Sequence, residues 1–216
     1  MTYRKLGISS DAAKSSPAEL VRKFAAFNNP RNAEQRAELE AALRSKWNGV
    51  QVSAGKKLAA WGGQRSLGSL KSWLESRLAR GGSSDTLIVA LNCVSAVVGP
   101  GDTDWAIKAY FASAAMPFEI YWAALLSKLD QGRAFAAAIL QAKSGNRALR
   151  RAAYFMACLT AKAQDRQHLA KLLDQEQDKA TRKLAQAWLK NAGKLRESVD
   201  GAAAIKQKNN RSGDCS

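Results

Sequence analysis

Lysine and arginine are the side chains through which this sequence is equipped to act. Arg147, Arg150 and Arg151 open one segment, and Lys179, Arg182 and Lys183 open another 32 residues later, with Lys190 and Lys194 beyond them. Cations recurring at a fixed interval can neutralise successive phosphates, so the chemistry they suggest is electrostatic recognition of a polyanion backbone, not bond making. Lys56 and Lys57 add a second basic step upstream. The 216 residues hold 34 Lys plus Arg against 18 Asp plus Glu, a formal charge of +16, which exceeds what solubility requires. The excess is uneven. Residues 1–80 carry +9 and residues 128–216 carry +10, while residues 81–127 set Lys108 against Asp85, Asp102, Asp104 and Glu119. An acidic protein surface is the other partner that such a distribution fits.

Catalytic and metal chemistry find little in the residue types. No GxxxxGK[ST] or GxGxxG stretch is present to cradle a phosphate. The one histidine, His168, lies in a basic, Leu-rich segment without a framed nucleophile and reads as a surface residue. Cys93, Cys158 and Cys215 form no CxxC and leave too few soft ligands for zinc, so neither metal nor cofactor is expected. An odd, scattered cysteine count fits a reducing compartment. The first twenty residues lack a secretory apolar run, and the longest apolar stretch, 86–98, is shorter than the roughly 18 residues of a membrane span. A cytoplasmic protein without a membrane span is the expectation.

The elements that must position these cations read as helices nearly throughout. Ser16-Pro17-Ala18-Glu19 is a capping box with Pro at the first helical position, predicting a helix to about Asn28. Further helices are expected over 33–47, 53–61, 66–80, 84–98, 103–115, 117–129, 132–143, 147–161, 166–173 and 179–191, separated by short Gly, Pro and Asn breakers. Asn48-Gly49 reads as one such stop. Residues 86–98 also suit a buried strand, although length and neighbours favour a helix. Short loops between helices of this length imply antiparallel pairs. The stretches 144–153 and 176–185 then align as an internal repeat, each opening on a turn-forming Asn or Asp and continuing into basic residues and packing Ala. The expected architecture is all-α, one domain over 1–194 of helix pairs stacked into a curved solenoid. A basic tail follows over 195–216, with disorder expected beyond about Ile205.

Ser144-Gly-Asn-Arg-Ala-Leu-Arg-Arg-Ala-Ala153, followed by Arg182-Lys-Leu-Ala-Gln-Ala-Trp-Leu-Lys190, resembles the paired helices of the AlkD-like DNA alkylation repair proteins, which are HEAT-like solenoids. A weaker similarity covers residues 27–34 and 49–58, so that the resemblance spans about half the chain. It implies a DNA-facing surface, with Arg151 matching an arginine that assists on the backbone. The family's glycosylases also carry Trp-(Asp/Glu)-x-x-Asp on a central helix, where this sequence has Phe118-Glu119-Ile120-Tyr121-Trp122. Trp122 then falls on the carboxylate position, and Glu119, the only acid in that helix, reads as a lone surface residue or the remnant of a degenerate site.

Three functions follow as expectations. The first is a noncatalytic protein whose concave basic face, built from Arg147, Arg150, Arg151, Lys179, Arg182, Lys183, Lys190 and Lys194 with Lys56 and Lys57, binds the backbone of duplex DNA. The second is a HEAT-like adaptor or inhibitor docking on an acidic partner, for instance an inhibitor of conjugative transfer. The third is an alkylpurine DNA glycosylase with Glu119 as its carboxylate.

Overall fold

The computed structural model describes residues 15–61, 64–80, 84–116 and 119–194. These form helices α1 (Pro17–Ala26), α2 (Ala33–Ala42), α3 (Asn48–Trp61), α4 (Gln64–Arg80), α5 (Ser84–Val97), α6 (Thr103–Ala112), α7 (Glu119–Leu126), α8 (Gln131–Gln141), α9 (Arg147–Thr160), α10 (Arg166–Asp174) and α11 (179–194). One-turn 3₁₀ helices precede α6 and α10, and no strand occurs among the described residues. Residues 84–97 are therefore helical, not a strand. The glycine pairs at 62–63 and 81–82, Pro117 and the tail from 195 lie outside the described residues.

Helix starts follow the capping chemistry of the sequence. Ser16 Oγ accepts from Glu19 N while Ser16 N donates to Glu19 Oε2 at 2.6 Å, completing the capping box on α1. Asn32, Asp130, Asn146 and Asp178 cap α2, α8, α9 and α11 in turn, each side chain accepting first-turn N–H groups. The expected stop at Asn48-Gly49 is instead the first turn of α3, and α2 ends at Ala42, not Trp47. Ser45 Oγ accepts from Trp47 N at 3.2 Å and Gln51 Nε2 donates to Ser45 O, so the turn closes one residue before Asn48. Gly costs little in a first turn.

The chain divides into two compact units, Met1–Val97 and Val98–Ser216. In the first, α3 is central: it packs on α1, α2 and α5, and α4 pairs with α5. Leu39, Val50, Ala54, Leu58, Leu70, Leu74 and Leu91 make the core, and Gly55 lets the Trp73 ring lie against the α3 backbone, since a Cβ there would stand 2.8 Å from the ring's Cη2. In the second unit α9 is central, paired with α8 and flanked by α7. Every residue from Ala152 to Thr160 is buried, so α9 is enclosed on all sides and only its first turn reaches solvent. Ala134, Ala138 and Ala142 form the buried stripe of α8, small enough to allow close packing. Phe155 meets Trp188 edge to face at 5.0 Å, and Cys158 Sγ contacts Ala185 O, which places α11 against α9. No helix among the described residues is long and apolar enough to cross a membrane.

Candidate polyanion-binding face

The first turns of α9 and α11 lie side by side, and most of the arginines predicted to face a ligand are held between them. Arg150 Nε donates to Glu176 Oε2 at 2.9 Å and Nη2 to Oε1 at 3.2 Å, while Nη1 reaches Ser144 O and Gly145 O. Arg182 Nε donates to Glu176 O at 2.7 Å. Arg147 pairs with Asp178, the cap of α11, at 3.2 Å. The Glu176 side chain is only 2% exposed. Burial pushes its carboxyl up, but the hydrogen bonds from Arg150 and from Asp178 N outweigh this and hold it below the ordinary carboxylate value. Asp178 is also lowered, first by its bond from Thr181 N. These arginines join the start of α9 to the turn before α11 and to the start of α11.

The same joint recurs elsewhere. Arg36 donates to Pro30 O at 2.6 Å and Gln51 to Ser45 O, as Arg150 does to Ser144 O and Arg182 to Glu176 O. In all four helices the residue four places after the N-cap position reaches back six residues to a carbonyl of the preceding turn. Only the pair at 150 and 182 was visible as a repeat, because Arg36 and Gln51 sit in otherwise dissimilar strings.

The lysines behave differently. Lys179, Lys183, Lys190 and Lys194 are all exposed, and none has an acidic partner among the described residues. At about 100° per residue they fall within an arc of roughly 60° along α11, and at 1.5 Å per residue the row spans about 22 Å. Asp178 caps the helix beneath them. The result is a straight row of ammonium groups on a firmly seated helix. Lys56 is exposed on α3 in the other unit, where Lys57 donates to Ala25 O at 3.2 Å and ties α3 to α1.

Glu119 is not a lone surface residue: its side chain is 13% exposed and its Oε1 meets Arg151 Nε. Two residues that the resemblance implicates thus come together, yet the arginine neutralises the carboxylate. Arg151 Nη2 is buried without a hydrogen-bond partner among the described residues. Trp122, 1% exposed, packs edge to face on Tyr110 at 5.5 Å, so the indole is core. Burial, then the charge of Glu119, raises the Tyr110 hydroxyl well above its usual value, and it donates to Ala152 O. His168 is exposed on α10; Cys93 and Cys158 are buried and outside any disulfide. No metal-binding group of three or more His, Cys, Asp or Glu gathers among the described residues. No family model, curated protein or solved structure matches the chain.

Proposed function

We propose that this chain is a noncatalytic binding protein that holds a nucleic-acid backbone along the lysine row of α11, on a HEAT-like solenoid of stacked helix pairs. The observation that carries the reading is the row itself: four exposed ammonium groups on one helical face, free of acidic partners among the described residues, in a chain of net charge +16. Such a row suits backbone contact without base readout. The stacking of α3 between α1 and α5, and of α9 between α7 and α11, supports the solenoid.

Replacing Lys179, Lys183, Lys190 and Lys194 together by Gln is expected to weaken duplex-DNA binding in fluorescence anisotropy. The slope of log affinity against log salt should become shallower by about 3.6, because each of the four phosphate contacts contributes about 0.9. Helicity should not change. An unaltered slope would remove the row from the binding surface.

The meeting of Glu119 and Arg151 favours one other reading, an alkylpurine glycosylase. A carboxylate that must stabilise a developing cation works through its net charge, which the paired guanidinium cancels. No release of methylated purines from alkylated DNA is expected, and Glu119→Gln should match the parent in that assay.

A further inference from the structure

The second unit carries a surface feature that the lysine row does not use. Helices α6 and α8 lie side by side and leave an open groove of about 560 Å³. Ile107 and Phe111, one turn apart on α6, line it from one side, and Ala136, Ala137 and Leu140 of α8 line it from the other. Leu140 is 72% exposed, more than Trp47, Ile120, Tyr121 or Leu184, the other exposed large hydrophobic side chains among the described residues. The stripe of α8 that packs on α9 is Ala134, Ala138 and Ala142, so Leu140 points away from the core, and folding does not account for its apolar side chain.

We propose that this groove seats an amphipathic helix of a partner protein, with carboxylates flanking its apolar stripe. Shape supports a helix as occupant. Ile107 and Phe111 on α6 face Leu140 on α8 across a gap in which apolar side chains at i, i+3 or i+4 and i+7 of a third helix can seat. Charge sets the flanks. Lys108 stands exposed on the rim without an acidic partner among the described residues, whereas half-exposed Arg133 is paired with Asp104, which also lines the groove, so Lys108 is the cation left to meet a partner's carboxylate. A second copy of this chain would bring another +16 and set these cations against their own kind. Nucleic acid gains nothing from the apolar walls. With a polyanion on α11 and an acidic helix between α6 and α8, one unit would bridge the two.

The test uses a labelled synthetic helix of about 14 residues with Leu at i, i+4 and i+7 and Glu on both flanks, beside a twin with Lys for Glu. Saturable binding of the Glu peptide by the full chain is expected, and none of the Lys twin. Leu140→Glu should weaken it at least about tenfold and Lys108→Glu several-fold. Both residues are exposed, so circular dichroism should not change. The four-lysine variant of α11 should bind the peptide as the parent does, and duplex DNA should not displace it. Equal loss in the α11 variant, displacement by DNA, equal binding of the twin, or no binding would each overturn the proposal. So would a dimer by sedimentation that Leu140→Glu dissolves.

Discussion

The joint between α3 and α4 and the joint between α9 and the turn before α11 are built from opposite chemistry at corresponding places in the chain. Gln51 and Arg150, Gly55 and Tyr154, and Arg77 and Glu176 each stand 99 residues apart. In the first unit the acceptor is neutral: Gln51 Oε1 receives Trp73 Nε1 at 2.7 Å and Arg77 Nε at 3.0 Å, and Asn48 Oδ1 receives Arg77 Nη2. Arg77 is 7% exposed and has no carboxylate partner among the described residues; burial lowers its pKa. In the second unit the charge is compensated, with Glu176 gripping Arg150 by both oxygens. The aromatic group changes sides too. Trp73 comes from α4 over Gly55, whereas Tyr154 comes from α9 itself, raised to about 12 by burial and by the neighbouring Glu176. The two units agree on where a polar joint is needed and differ on which helix supplies the cation.

That difference predicts unequal costs. Glu176→Ala leaves a largely buried guanidinium unpaired and is expected to destabilise by about 3 kcal/mol in urea unfolding. Arg77→Met removes the charge together with its bonds and leaves Gln51 joined to Trp73, so a smaller loss of about 1 kcal/mol is expected. A cost for Arg77→Met equal to that of Glu176→Ala would erase the distinction.

Helix content was legible because Ser16, Asn32, Asn146 and Asp178 cap helices where their types and spacing say they should. The joints were not. An offset of 32 exposes Arg150 and Arg182 because both are arginine, but an offset of 99 sets Gln against Arg and Arg against Glu, and no string comparison pairs them. For the same reason arginines and lysines of one basic cluster looked interchangeable. A guanidinium offers several donors in a plane and is drawn to carbonyls and carboxylates of a packed turn, whereas an ammonium on a flexible stem stays in water. Glu119 looked solitary because its partner, Arg151, lies 32 residues away.

Acid sharpens the comparison with a somewhat smaller effect. The Glu176 carboxyl titrates below its ordinary value in the fold. Its contribution is therefore complete above the unfolded-state pKa of about 4.3 and is lost as pH falls from there through the lower folded value. Parent and Glu176→Gln should differ most near neutrality and converge below about pH 4 in urea midpoints. The gap between parent and Arg77→Met should not close over that range, since no carboxylate takes part in that joint. A gap for Glu176→Gln that stays constant down to pH 3 would mean that charge is not what this joint uses.

The smallest effect separates two adjacent basic residues. Arg182 donates to Glu176 O, while Lys183 projects from the exposed face of α11. Arg182→Ala is expected to cost about 1 kcal/mol, for the loss of two donors that share the Glu176 carbonyl, and Lys183→Ala less than about 0.5 kcal/mol. The first unit supplies a further condition, because at the start of α3 an amide does this work: Gln51 Nε2 reaches Ser45 O across the same six residues. Arg182→Gln should therefore recover most of what Arg182→Ala loses, although it removes the same charge. Duplex-DNA affinity should order differently, with Lys183→Ala weakening it more than Arg182→Gln does. If Arg182→Gln were as unstable as Arg182→Ala, the reach to the carbonyl would need a guanidinium, and the likeness between the starts of α3 and α11 would be one of position only.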